Sequence, residues 1–230
     1  MKILELFSGT ESFSKVAKER GHEIFTVDIE PKFNPSLSID IMKLEPNMIP
    51  FEPDVIWASP PCQKFSIMTV YMNWTKEGDN YIPKRKETIE AINIVKKTLE
   101  LIKKFNPKFW FIENPRAMLR KQDFMPNDKR KTVTYCQYGF DYQKPTDIWT
   151  NLNSWNPKPK CSPKSLCHER ASRGSRKGIQ GDIDKMVERY RTYLQWSPLG
   201  LGFTEVRSTI RGIILPKLCE EIIIECEKYA

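Results

Sequence analysis

No uninterrupted apolar run in the 230-residue chain approaches the about 20 residues that a bilayer-spanning helix needs, so a membrane span is excluded. The N-terminus, Met1-Lys2-Ile3-Leu4-Glu5, goes straight into a strand-like segment. It lacks the longer apolar core and small-residue cleavage site of a signal peptide. A cytoplasmic protein with mostly reduced thiols is therefore expected. The six cysteines, at 62, 136, 161, 167, 219 and 226, are too scattered for a disulfide framework. The chain has no internal repeat and no low-complexity tract. It also has no GxGxxG, which disfavours a pyrophosphate-bearing cofactor.

What is present reads as globular: 40% hydrophobic and 29% charged residues, with length for one substantial domain or one domain and a small appendage. The net charge of +8 suits a polyanionic partner. Its distribution is uneven. Residues 158–177 hold seven bases (Lys158, Lys160, Lys164, Arg170, Arg173, Arg176, Lys177) against the single acid Glu169. Taken alone, such a run reads equally well as a solvated loop.

The patterning predicts strands at Lys2–Ser8, Glu23–Ile29, near Ser38–Asp40, and at Asp54–Ser59, Lys108–Glu113, Lys131–Gly139 and Thr146–Asn151. Helices are predicted at Ser12–Arg20, Lys84–Phe105, Asp182–Trp196 and Ile213–Tyr229. Strands alternating with helices predict a parallel, Rossmann-like α/β sheet, whose ligands bind beyond the carboxyl ends of strands. Gly9, Asp28, Asp40, Cys62 and Glu113 all fall at such ends. Asn153–Gly181 is rich in Pro, Ser, Lys and Arg. The chain divides into a catalytic domain (1–151), a small basic insert (152–201) and a C-terminal helix packing back on the first part (202–230).

Three stretches can carry chemistry. In Phe7-Ser8-Gly9-Thr10 a glycine lets backbone approach a ligand at a helix N-terminus. The acid about 20 residues on, Asp28, suits ribose hydroxyls, so this is a nucleoside-cofactor pattern, although an ordinary tight turn reads the same way. Pro60-Pro61 ends a strand and delivers Cys62 to the sheet edge, as a nucleophile or as a packed thiol. Glu113 follows the apolar "KFWFI", where desolvation would let a carboxyl hold a proton near neutrality; a helix-capping role is the plainer reading.

"FSGTES", "PPCQKFS" and "IENP", in this order and spacing, resemble the cytosine-5 DNA methyltransferases, which carry FxGxG, PPCQxFS and ENV. The resemblance runs from residue 2 to about 151, and the shortness of the chain resembles the compact phage and prophage members. It implies a Rossmann-like fold dependent on S-adenosylmethionine. Phe7, Ser8, Gly9 and Thr10 would hold the cofactor, Asp28 its ribose and Asp40 its adenine amino group, with Ile29, Ile41 and Pro60 alongside. Cys62 would attack carbon 6 of cytosine in double-stranded DNA, and Glu113 would hold N3 and the exocyclic amine. Pro61, Gln63 and Asn114 belong to the same motifs. Gln63 to about Lys86 would be the mobile catalytic loop. The DNA contacts implied are Lys84, Arg85, Arg116, Gln143, Arg170, Arg173, Arg176 and Lys177. A monomer is expected.

The chain departs from that family pattern. Where a QxRxR element is expected, "YQKPTDIW" has Gln143 but Pro145 and Asp147 in place of both arginines; Arg116 and Lys144 are the candidate substitutes. The missing arginines leave open a catalytically weak or silent DNA-binding relative. An enzyme acting on RNA or on a free pyrimidine nucleotide is also left open. Cys161-x5-Cys167-His168 could join Cys136 in a four-ligand zinc site, but the spacing is not a standard C-x2-C, and unliganded thiols are the favoured reading, with no metal expected.

Overall fold

A computed structural model describes residues 1–162, 164–168 and 212–230; the expected helix Asp182–Trp196 and most of the basic insert lie outside the described residues. Strands β1 (Lys2–Leu6), β2 (Glu23–Asp28), β3 (Leu37–Ser38), β4 (Val55–Ala58), β7 (Phe109–Pro115), β8 (Arg130–Thr134) and β9 (Pro145–Thr150) form a seven-stranded sheet in the order β3-β2-β1-β4-β7-β9-β8. The first five are parallel; β9 pairs antiparallel with both β7 and β8. The fold is thus the mixed α/β type with a mainly parallel core. Strands β5 (Trp74–Glu77) and β6 (Asn80–Pro83) make a separate hairpin. The α-helices among the described residues are α1 (Ser12–Glu19), the short α2 (Val70–Asn73), α3 (Lys86–Phe105) and α4 (Pro216–Glu227). No helix among the described residues is long and apolar enough to cross a membrane.

The central strands are apolar on both faces, as a sheet covered on both sides requires. The period of two sorts them. Val55 and Trp57 of β4 join Ile3, Phe13 and Phe111 in a core completed by Leu218, Ile222 and Ile223 of α4. Ile56 and Ala58 join Leu4, Leu6, Ile112 and the α3 residues Ala91, Ile92, Val95 and Leu101 in the other. Phe13 stacks on Trp57 at 4.5 Å between ring centroids, and Trp57 on Phe111 at 5.8 Å. The strand that delivers Cys62 therefore rests on an aromatic column. At the far end of α4, Glu227 pairs with Arg20 and His22 and ties the helix to α1.

One sequence expectation needs correction. The strand expected over Lys131–Gly139 stops at Thr134, and Tyr135–Tyr138 turn as a 3-10 helix ending on Gly139 at φ 95°. Glycine supplies the left-handed conformation that ends the turn. The expected loop from Gln63 to Lys86 contains a helical turn, α2 and the β5–β6 hairpin. Phe65 and Trp74 are buried at its root, 5.9 Å apart, and the Trp74 indole donates to the Lys64 carbonyl. Its crest instead exposes Ile67, Met68 and Tyr71.

Candidate active site

The chain runs from β1 to β2 in one direction across the sheet, then crosses to β4 on the other side of β1. The crevice beyond the carboxyl ends of β1 and β4 is thus the topological switch point, where doubly wound sheets bind ligands. A cavity of about 290 Å³ opens there. The turn after β1 (Phe7 to Thr10), the turn after β4 (Ser59 to Gln63) and Glu113 near the end of β7 all line it. The three sequence motifs, from three separate strands, share one space.

The turn after β1 is built under strain. Phe7 has φ 60°, an outlier for a bulky residue, and Gly9 has φ 45°. The Gly9 amide donates to Asp28 Oδ2 at 2.8 Å, while the Glu30 amide donates to Oδ1 at 2.9 Å. Ser8 is buried on the wall of the cavity, and its Oγ has no partner among the described residues. A Cβ added at Gly9 would meet no atom within 4 Å, so the backbone stands open to a ligand. An orphaned buried hydroxyl, an open glycine and a carboxylate on the adjoining strand fit a nucleoside-type cofactor. The exposed Ile29 beside Asp28 offers an apolar surface to a flat ring.

Other expected cofactor contacts lie differently. Asp40 accepts the Met42 amide at 2.9 Å and caps the 3-10 turn Ile41–Lys43. The Ile41 side chain is buried in the core and leaves only its backbone for a ligand. Pro60 is buried, and its carbonyl accepts from Asn114 Nδ2 at 3.0 Å. That bond ties the cysteine turn to β7.

Glu113 is buried. Desolvation pushes its carboxyl above the usual range, offset in part by the charge of Lys144 and by the Tyr135 hydroxyl, which donates to Oε1 at 3.3 Å. The Lys144 ammonium lies 4.2 Å from the centre of the Tyr135 ring. Burial pushes its pKa down, against the opposing pull of Glu113 and Cys62. Lys144 lines the cavity with both of them and has φ 30°, a strained value for a non-glycine. Arg116, the other substitute that the sequence offers, is exposed and holds the Pro145 carbonyl with its amide. Phe33, Gly212 and Ile214 also line the cavity. No local pattern signals them, because they reach the site only through tertiary packing.

Of the expected DNA contacts, Lys84 and Arg85 are exposed at the start of α3, and Lys84 donates to the Tyr71 carbonyl at 2.9 Å. The Gln143 amide is turned inward, donating to the Cys161 carbonyl at 3.1 Å and to its sulfur at 3.3 Å, so it is not presented to DNA. Arg170, Arg173, Arg176 and Lys177 lie outside the described residues.

The sheet has the Rossmann-like methyltransferase fold, and a glycine turn, a cysteine and a buried acid line one cavity at its switch point. The chain belongs to the C-5 cytosine-specific DNA methylase family, whose sequence profile matches residues 1–143. It is an enzyme of DNA cytosine-5 methylation. A probable DNA (cytosine-5)-methyltransferase of Frog virus 3 (isolate Goorha) is 31% identical over 175 residues, covering 73% of this chain and 78% of the relative. Among solved structures, a Spodoptera frugiperda DNMT2 variant has a TM-score of 0.56 at 16% identity, covering 98% of this chain and 99% of that one. The S. pombe Dnmt2 methyltransferase has a TM-score of 0.58 at 12% identity, covering 100% and 99%. At those identities the structures establish the fold.

Proposed function

We propose that this enzyme transfers a methyl group from S-adenosylmethionine to carbon 5 of cytosine in double-stranded DNA, through a covalent Cys62 adduct on a base rotated out of the duplex. The reading rests on one observation: Cys62, Glu113 and the Ser8–Thr10 turn line a single cavity. S-adenosylmethionine, when bound, supplies an electrophilic methyl group. Ser8, Gly9 and Asp28 would hold it. The sulfur of Cys62 adds to carbon 6 of the cytosine, and Glu113, whose pKa burial raises, donates a proton to N3 as electrons move into the ring. Carbon 5 becomes enamine-like and takes the methyl. Carbon 5 then gives its proton to solvent water, N3 returns its proton to Glu113, and the Cys62 sulfur leaves carbon 6 with the electron pair of the broken C–S bond, which restores both residues and releases the methylated base. The target base must leave the stack to reach a cavity at the strand ends.

Lys144 supplies the cation that the missing arginines would have provided. Its ammonium shares the cavity with Cys62 and Glu113 and pulls the Glu113 carboxyl back down against burial. Exposed Lys84 and Arg85, with the basic run 158–177, suit phosphate contacts. The enzyme would act as a cytoplasmic monomer.

The test is incubation with labelled S-adenosylmethionine and duplex DNA, RNA or dCMP in separate reactions. Label in duplex DNA alone, lost in Cys62→Ser, is the expected result. Label in RNA or dCMP would move the substrate, and label in none would point to a silent relative. Duplex DNA carrying 5-fluorocytosine should trap the wild type covalently and leave Cys62→Ser free. Robust turnover by the serine variant would sink the adduct.

A further inference from the structure

Cys136, Cys161, Cys167 and His168 gather outside the cavity, with one ligand atom from each within 4.8 Å of all the others. Cys136 sits in the 3-10 turn after β8 and is buried; the other three come from the chain beyond β9. We propose that these four side chains bind a structural zinc ion that anchors the first part of the basic insert to the turn after β8.

Zinc–sulfur bonds of about 2.3 Å and zinc–nitrogen bonds of about 2.05 Å in a tetrahedron put sulfurs about 3.8 Å apart and sulfur and nitrogen about 3.5 Å apart. The Cys167 and Cys136 sulfurs are 3.8 Å apart. His168 Nδ1 lies 3.6 Å from the Cys161 sulfur and 3.5 Å from that of Cys167. The Cys136–Cys161 separation of 3.1 Å is shorter than that ideal. It is still well beyond the about 2.05 Å of a disulfide. Three thiolates and one imidazole are a closed zinc set: four protein ligands leave no position for substrate, so the site is structural.

The surrounding groups match what metal thiolates require. Gln143 Nε2 donates to the Cys161 sulfur at 3.3 Å and Gln137 Nε2 to the Cys167 sulfur at 3.5 Å. The Cys161 amide is itself held by Thr134 Oγ1 at 3.1 Å. Such outer partners orient ligands and neutralise sulfur charge. The need is physical too. After Trp155 the described segment up to His168 buries no large apolar side chain, and Leu166 is almost fully exposed. A segment without a core of its own is the setting in which a metal substitutes for one. The site also accounts for Gln143 turning away from DNA, because its amide serves a ligand.

Elemental analysis of the purified full chain tests this, with no dependence on methyl transfer. The expected result is about one zinc per chain, with tetrahedral cobalt–thiolate absorption on cobalt replacement. Cys167→Ser and His168→Ala, at the exposed end of the cluster, should fold, as judged by circular dichroism, yet lose zinc at least about tenfold in affinity. Gln143→Ala should weaken binding about tenfold. Cys226→Ser should keep the metal. Zinc-free protein with six titratable thiols, or with a Cys136–Cys161 disulfide, would overturn the proposal. Retention of zinc by both ligand variants would overturn it as well.

Discussion

Arg120 Nε lies 3.0 Å from the buried Oδ2 of Asp147, and Arg120 Nη2 donates to Oδ1 at 3.2 Å. Asp147 stands where the family pattern leads one to expect an arginine. The charge at this place in β9 is reversed, and the balancing cation comes from the loop after β7. Thr132 adds a donor to Oδ1 at 2.6 Å. Burial pushes the carboxyl above its usual range; Thr132 and Arg120 pull it back. Removing one partner strands the other charge, so Arg120→Met and Asp147→Leu should each destabilise by roughly 3 kcal/mol. Arg120→Met with Asp147→Leu should recover most of that loss, because an apolar pair of similar volume avoids both desolvation costs. Denaturant unfolding of the three variants checks it. Additive losses would show that the two side chains are not coupled.

Lys144→Met removes the cation beside Cys62 and Glu113. Turnover should fall about 100-fold while cofactor binding is kept, and Lys144→Arg should restore part of the rate. The pH profile gives a separate readout. Lys144 holds the Glu113 carboxyl down against the upward push of burial. In Lys144→Met that restraint is gone, so the protonated form persists to higher pH, and the alkaline limb of kcat/KM should move upward. A limb that stays in place would show that Lys144 does not act on Glu113.

Much of this architecture is legible in the sequence because it is local. Val55 to Ala58 reads as a buried strand, Pro60-Pro61 stops it, and Gly9 marks a turn that needs positive φ. Glu113 after an apolar strand already implies a desolvated acid. The parts that are not legible depend on distant contacts. Nothing near Lys144 says that a strained backbone turns its ammonium over the Tyr135 ring. Cys136 precedes Cys161 by 25 residues; the sequence offers both as members of a four-ligand set, but its non-standard spacing favours free thiols, and only the fold shows the four gathered. The end of β8 at Thr134 escapes a sequence reading because Tyr135 and Cys136 suit a strand equally well; a Tyr135 amide bond to the Gln143 carbonyl turns the chain instead.

Glu5 carries a pH signature. Period two turns it toward α1, where its carboxylate accepts the Ser14 amide at 2.9 Å and the Phe13 amide at 3.4 Å. Burial raises its pKa from 4.5 to about 7, outweighing these bonds. A folded pKa above the unfolded one gives stability that is complete below the unfolded value and lost as pH rises through the folded value. Wild-type stability should therefore fall between about pH 4.5 and 7, with Glu5 accounting for roughly 3 kcal/mol at most. Burial shifts Glu113 and Asp147 in the same direction. Glu5→Gln should flatten the profile and gain stability relative to wild type above pH 7. Thermal unfolding at pH 5 and pH 8 measures this; an equal drop in both proteins would exclude Glu5 as a source.

Asn114 holds the turn that presents the nucleophile. It is fully buried, and its Nδ2 donates to the Pro60 carbonyl, two residues before Cys62. Pro60 and Pro61 have no amide hydrogen to anchor that turn themselves, so the side chain of a neighbouring strand fixes it. Asn114→Ala should cost about 1–2 kcal/mol of stability, through a buried carbonyl left without its donor. The larger effect should be on rate. A turn free to shift by an ångström misplaces the sulfur, and such misplacement costs about 100-fold. The test is the single-turnover rate of covalent trapping by 5-fluorocytosine duplex, beside calorimetric binding of S-adenosylmethionine. Trapping should slow while cofactor affinity stays within a few-fold, because Ser8 and Gly9 sit on a different strand end. Equal losses in both would mean that Asn114 supports the whole cavity rather than the cysteine turn.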